Sequence, residues 1–282
     1  MFSSALPTVS VSGVNIPSIG YGTMLFPEPE KAVTLISEAI NSGYRHIDTA
    51  RKYGSEQWVG EALRYTGIGR ENIWITTKVT EENAKADDFA RSVDKSLQTM
   101  QLNYVDLLLI HWPQPKIPLS ETIGALIKAK QDGLTKNIGI SNFTVDLIHK
   151  AAQISSEQLF TNQVEYHPYI NQDKVIQACK NYGISVTCHV PLARGVVLKD
   201  PEIIKIAKSH QKSPAQVTLK WLIQQENIIA VPRALSVDQI KENISLADFS
   251  LSDEQMDTMS KLRSKNLRIV DPKVRRPVWD LP

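Results

Sequence analysis

The sequence predicts a (β/α)8 TIM-type barrel preceded by an N-terminal β-hairpin. Apolar runs of strand length recur along the chain, helical periodicity fills the intervals between most of them, and the runs number about eight. Alternation of strand with helix implies a parallel sheet, and at about eight strands a closed barrel outranks an open, doubly wound sheet. The open sheet would also need a phosphate-binding turn after its first strand. "IGYGTML" supplies Gly20 and Gly22 but no third glycine, and "TGIGREN" misses the same spacing. At 282 residues, with no low-complexity stretch or strong linker, the chain fits one domain over residues 1–282.

The elements follow in order. "TVSVSGVNIP" alternates about a Ser-Gly pair and reads as the hairpin. "SIGYG" is the first barrel strand, followed by "PEKAVTLISEAINSG", "HIDTA" and "EQWVGEALRYTG" as helix, strand and helix. "IWITTK", "DDFARSVDKSLQTMQ", "VDLLLIH" and "ETIGALIKAKQDG" continue the alternation, and "NIGIS", "NQVEY", "NQDKVIQACKNYG", "SVTCHV" and "IIAVP" complete it. Several of the helical stretches end in Gly, as a helix C-terminus favours.

Composition narrows the function classes. Lys plus Arg total 32 against 30 acids, a net charge of +2, so a polyanionic partner such as nucleic acid is not indicated. The most basic stretch, "KLRSKNLRIVDPKVRRP", reads as a solvated tail. Cys179 and Cys188 fall in a helix and the strand after it, so no disulfide framework is expected and a reducing compartment fits. The N-terminal stretch lacks a basic and apolar leader pattern, and no run reaches the roughly 18 apolar residues of a membrane span. A soluble, cytoplasmic monomer is the expectation.

Barrel chemistry collects where strands finish, since their C-terminal ends and the following loops surround one mouth. Those ends carry Asp48, Lys78, His111, Ser141, Asn142, Gln163, Glu165 and His189. Each has a bland reading: Asp48 and Lys78 as a buried ion pair, His111 as a hydrogen-bonded core histidine, Tyr53 as a loop cap. Together they suggest proton transfer, because a buried Asp and Lys must be paired and a titratable Tyr and His join the same rim. A metal centre is disfavoured, as there is no H-x-H at the first strand and Lys78 would repel a cation.

"GYRHIDTARKYGSEQWVG", "KNIGISNF" and "VPRALSVDQIKENI" resemble signatures of the aldo-keto reductases, the third in weakened form, and the resemblance covers nearly the whole chain. "NQVEYHPY" and the compact length are most similar to the small bacterial diketogluconate-reductase type. The resemblance implies a catalytic tetrad of Asp48, Tyr53, Lys78 and His111. Tyr53 would protonate the carbonyl oxygen while a nicotinamide delivers hydride. Lys78 would lower the phenol pKa, Asp48 would hold Lys78 charged, and a neutral His111 would orient the substrate.

The same resemblance places the nicotinamide near Gly22, Thr23, Asp48, Ser141, Asn142 and Gln163. His189 stands where the family commonly has a stacking Tyr. Val190, Leu192 and Arg194, in "VPLARG", would follow the pyrophosphate. Arg233 would grip the 2′-phosphate of NADPH, while Ala234 and Gln239 replace two of its usual partners and Asn243 remains for the adenine. NADPH is expected to be preferred by a reduced margin, with NADH accepted. Met24, Phe26, His111, Trp112 and Trp279 are the substrate candidates. The short "WPQPKIPL" loop implies an open mouth for small aldehydes, ketoaldehydes or keto sugars. The competing reading is a nicotinamide-binding sensor or regulatory subunit on the same fold, with little turnover.

Overall fold

A computed structural model of the protein describes residues 7–26 and 28–280. An antiparallel hairpin, β1 (Thr8–Val11) and β2 (Val14–Pro17), precedes an eight-stranded parallel sheet. Its strands are β3 (Tyr21–Gly22), β4 (His46–Asp48), β5 (Trp74–Val79), β6 (Val105–Ile110), β7 (Thr135–Ser141), β8 (Leu159–Glu165), β9 (Ser185–His189) and β10 (Ile228–Ala230), each paired with the next. First and last strands then meet. Ile19 bridges Ala230 in parallel, Gly20 N donates to Ala230 O at 2.8 Å, and Ala230 N donates to Ser18 O at 2.8 Å. The sheet therefore closes as the sequence predicts, and all eight expected strands contribute.

The helices are α1 (Pro29–Asn41), α2 (Glu56–Thr66), α3 (Ala86–Met100), α4 (Leu119–Gln131), α5 (Val145–Ile154), α6 (Asp173–Asn181), α7 (Pro201–His210), α8 (Pro214–Ile223), α9 (Val237–Ile244) and α10 (Asp253–Lys261). Sequence periodicity identifies α1 to α4 and α6. Helix α8 escapes it because nearly every side from Ala215 to Ile223 is buried, leaving no polar stripe to mark a face. Local capping chemistry does mark it: Ser213 and Gln216 form a reciprocal capping box, and Ser252 and Gln255 do the same for α10.

Strand pleating sorts the side chains into two cores. Ile47, Ile75, Val79, Leu108, Ile110, Ile138 and Ile140 join the helices outside the sheet. Val9, Val11 and Ile16 of the hairpin pack instead on Leu107, Leu109, Phe160 and Ile229, plugging the N-terminal end of the barrel with apolar side chains. Because successive residues alternate faces, Asp48 and Lys78 lie on the opposite side of their strands from Ile47 and Val79. Both point into the barrel.

The basic C-terminal segment is not a solvated tail. Lys265 pairs with Asp200 at 2.6 Å, and Leu267 N donates to Tyr169 O at 2.8 Å. Ile269 N and Val270 N donate to the two oxygens of Glu165, at 2.6 and 2.7 Å. Arg275 pairs with Glu81 at 3.3 Å, and Asp280 accepts from Val145 N at the start of α5 at 3.1 Å. Residues 265–280 thus form a strap, secured by acids that spacing along the chain could not connect to it. Among the described residues no helix is long and apolar enough to cross a membrane, and both cysteines are free and buried.

Two helical glycines test this packing. A Cβ on Gly60 in α2 would stand 2.2 Å from the Met100 carbonyl oxygen at the end of α3, whereas one on Gly124 in α4 meets nothing within 4 Å. Gly60→Ala is expected to destabilise by about 1–3 kcal/mol through overpacking. Gly124→Ala is expected to stabilise by about 0.5–1 kcal/mol. Urea unfolding midpoints of the two variants check these opposite signs.

Candidate active site

Four side chains converge at the open end of the barrel. Asp48 ends β4, Lys78 lies near the end of β5, His111 follows β6, and Tyr53 closes a short 3-10 turn (Arg51–Tyr53) before α2. Lys78 is fully buried, and its Nζ donates to Asp48 Oδ1 at 2.6 Å and to the Thr49 carbonyl at 2.8 Å. The second carboxylate oxygen, Asp48 Oδ2, accepts from Gln163 Nε2 at 2.7 Å. The ammonium stands 4.8 Å from the centre of the Tyr53 ring. Tyr53 and His111 meet edge to face, centres 5.6 Å apart at 82°.

Burial and charge set the protonation states. Burial disfavours charge on Lys78, but Asp48 and Tyr53 beside it together raise its pKa above the ordinary lysine value. Burial also pushes the Tyr53 phenol up, and the opposing pull of Lys78 does not cancel it, so its pKa stands above the ordinary tyrosine value. Lys78 does pull the phenol pKa down, as expected, but removal from water penalises a phenolate more than the ammonium favours it, so the net shift is upward. His111 is held well below the usual histidine range by burial, then by Lys78 and Arg275, and is neutral. Its Nδ1 is buried without a hydrogen-bond partner among the described residues.

A second network joins the next three strand ends. Ser141 Oγ donates to the Gln163 carbonyl at 2.7 Å. Asn142 Nδ2 donates to the His111 carbonyl at 3.0 Å and to Ser141 Oγ at 3.1 Å, and His189 Nε2 lies 3.0 Å from Asn142 Oδ1. Burial lowers the His189 pKa to about 4, so this ring is neutral and donates Nε2–H to Asn142. Lone pairs on Ser141 Oγ, Asn142 Oδ1 and Gln163 Oε1 suit the amide hydrogens of a carboxamide. This acceptor set therefore fits a nicotinamide.

The remaining candidates lie around this centre. Thr23 is buried and gives both its N–H and its hydroxyl to the Asp48 carbonyl, each at 3.0 Å. Gly22 answers to barrel packing, since a Cβ there would lie 2.8 Å from Val231 O. After β9 the backbone is left-handed at Val190 (φ 52°), Ala193 (47°), Arg194 (50°) and Gly195 (90°). Such a conformation costs a β-branched residue on the order of 1–3 kcal/mol and is characteristic of ligand-gripping loops. Leu192 packs against the core and Arg194 is exposed.

Arg233 is exposed, and its Nη1 donates to the carbonyls of Met24, at 3.2 Å, and Leu25. Gln239 turns back on its own loop, its Oε1 accepting from Leu235 N at 2.9 Å, and Asn243 is buried in α9. Ser236, which the sequence reading passes over, caps α9 through Gln239 N at 3.2 Å. A serine followed three residues later by Gln is a capping signal visible in the sequence.

Around the substrate candidates the strap supplies what the short loop after Trp112 does not. Trp112 is buried and meets Trp279 edge to face at 6.1 Å. Arg275 lies over Trp112 at 5.3 Å and Arg268 over Trp279 at 3.8 Å. The mouth therefore has a cation and aromatic wall, where an open mouth is expected from loop length alone. Met24 is half-buried at the rim, while Phe26 is buried edge-on against Trp58 at 6.0 Å, a core position. Among the described residues no group of three or more His, Cys, Asp or Glu could hold a metal.

Comparison with known proteins identifies the family. The family model "Aldo/keto reductase family" matches residues 18–264. The chain is 38% identical over 268 residues to methylglyoxal reductase DkgB of Escherichia coli O157:H7, covering 94% of this chain and 99% of that one. A crystal structure provisionally described as 2,5-diketo-D-gluconic acid reductase B superposes with a TM-score of 0.95, at 41% identity over 98% of each chain. The Bombyx mori aldo-keto reductase in complex with NADP superposes with a TM-score of 0.88, at 29% identity over 95% of this chain and 96% of that one. The match spans the barrel and every strand end that carries the site, and so the chain belongs to the aldo/keto reductase family, an oxidoreductase acting on carbonyl groups.

Proposed function

We propose that the protein is an NADPH-dependent reductase of small aldehydes and ketones, ketoaldehydes of the methylglyoxal kind and keto sugars foremost, with Tyr53 as proton donor. The carrying observation is the convergence of a protonated phenol, a neutral imidazole and a buried Lys–Asp pair at one barrel mouth. The nicotinamide supplies the hydride when bound. Tyr53 gives its proton to the carbonyl oxygen as charge builds there, and the Lys78 ammonium stabilises the phenolate that remains. His111, neutral and pressed against the Tyr53 ring, orients the carbonyl. Asp48 keeps Lys78 charged within a dry site.

The cofactor residues support the same reading. Ser141, Asn142 and Gln163 present acceptors for the carboxamide, and the strained 190–195 loop follows the pyrophosphate. For Arg233, gripping a 2′-phosphate means exchanging two neutral carbonyl acceptors for a charged one. A charge-assisted contact to phosphate contributes about 1.5–3 kcal/mol, on the order of 10- to 100-fold, and the two carbonyl bonds that Arg233 gives up cut into it, so NADPH is preferred over NADH by less than that full margin. NADH is accepted.

Tyr53→Phe is expected to lower kcat for methylglyoxal reduction by about 10²- to 10⁴-fold with NADPH binding retained. Wild-type-like turnover, with hydride transfer shown to limit it, rejects Tyr53 as the acid. NADPH binding without turnover by the wild type, across a broad aldehyde panel, would instead support the sensor reading. Lys78→Met leaves Asp48 as an unpaired buried carboxylate and should remove about 3–5 kcal/mol of stability together with activity. An unchanged melting temperature and kcat pH profile would refute the coupling. Arg233→Ala should bring kcat/KM for NADPH and NADH to near equality; an unaltered ratio, or equal use of both by the wild type, removes the phosphate assignment.

A further inference from the structure

Ser55 occupies the N-cap position of α2, where a serine hydroxyl ordinarily accepts from an amide of the first turn. It makes no such bond. Fully buried, the hydroxyl lies 2.8 Å from Thr23 Oγ1 and 2.9 Å from Thr49 Oγ1, both of which are fully buried as well. Counting protons fixes the direction of this chain. Each hydroxyl has one O–H to donate, and Thr23 uses its own on the Asp48 carbonyl at 3.0 Å. Ser55 must then donate to Thr23, and Thr49 to Ser55. The bonds run one way, from Thr49 through Ser55 and Thr23 to the peptide oxygen of Asp48, and in a buried setting successive bonds of this kind strengthen one another.

Both ends of the chain are attached to the proton-transfer groups. The Thr49 carbonyl accepts from Lys78 Nζ at 2.8 Å, and the Asp48 carboxylate holds the same ammonium at 2.6 Å. Ser55 lies two residues beyond Tyr53. The turn itself is closed by local bonds, Tyr53 N to Ala50 O at 3.0 Å and Gly54 N to Arg51 O at 3.4 Å. Of its charged residues, Lys52 reaches out to Glu82, while Arg51 holds Thr99 and the buried Glu56, which in turn accepts from Thr77 of β5. Ser55 is where the segment carrying the phenol is bonded to the ends of β3 and β4.

We propose that Ser55 is a positioning residue for carbonyl reduction. Forgoing its helix cap, it fixes the Tyr53 turn to the strand ends that hold Asp48 and Lys78, and thereby sets the approach of the phenol to the carbonyl oxygen. The inference rests on Tyr53 being the proton donor.

The test compares Ser55→Ala, Thr49→Val, their double variant and Tyr53→Phe on methylglyoxal at saturating NADPH, counting active sites by stoichiometric NADPH binding. Displacing reacting groups by about 1 Å can lower rates by about 10²-fold, and a smaller shift here should reduce kcat per site about tenfold in Ser55→Ala. NADPH affinity should hold, and the solvent deuterium isotope effect on kcat should rise as proton transfer slows. Thr49→Val should act in the same direction but less. With Ser55 gone Thr49 has no acceptor to lose, so the double variant should be no slower than Ser55→Ala. A purely structural role would lower the melting temperature and leave kcat per site and the isotope effect unchanged; that result, or additive losses in the double variant, overturns the inference while an inactive Tyr53→Phe leaves the acid assignment standing. Full activity in Tyr53→Phe would overturn both. Should Ser55→Ala not fold, kcat per site and the isotope effect in Thr49→Val decide alone.

Discussion

The arrangement of the mouth depends on one buried ion pair. Lys78 is fully enclosed and Asp48 nearly so, with 2.6 Å between Nζ and Oδ1. Removing such charges from water is expensive, and the pair is supported by a further hydrogen-bond partner on each side. Thr49 supplies a carbonyl to the ammonium and Gln163 an amide to the carboxylate. The consequence is a fixed positive charge beneath Tyr53 and beside His111. Burial first, and then this charge, keep the imidazole neutral.

The barrel separates this polar end from an apolar one. The hairpin plugs the N-terminal end with Val9, Val11 and Ile16. At the far end Ser141, Asn142, Gln163 and His189 hydrogen-bond across β7, β8 and β9. Donors and acceptors there are held by one another, which preorganises the groups at these strand ends. The strap completes the enclosure. Glu165, buried at the end of β8, accepts two successive amides of the strap, and its carboxyl lies below the ordinary glutamate range because His167 and those amides outweigh the opposing effect of burial. Trp279 and Arg275 are thereby brought to Trp112, next to His111.

Much of the site was legible because its information is local or periodic. Strand alternation alone aims Asp48 and Lys78 inward, and the position of a polar residue at a strand end assigns it to the mouth. The family resemblance then supplied roles for Tyr53 and His111. What escaped notice had weaker local marks: Ser236 and Ser213 carry capping signals, but α8 has no polar face, and Arg275 sits in a basic segment that composition reads as solvated.

By itself the sequence determined the closed α/β barrel, its eight strands and the set of polar residues that gather at their ends, since these follow from period and spacing. Only the tertiary structure decided how those residues are bonded and charged. The net direction of the Tyr53 pKa shift is a contest between desolvation, which raises it, and a charge 4.8 Å from the ring, which lowers it, and burial wins only when the strands have closed around both. The pairing of Glu165 with amides more than a hundred residues away, and of Ser55 with hydroxyls on two other strand ends, likewise exists only in three dimensions. Hydrogen bonds reach about 3 Å in space and have no memory of distance along the chain.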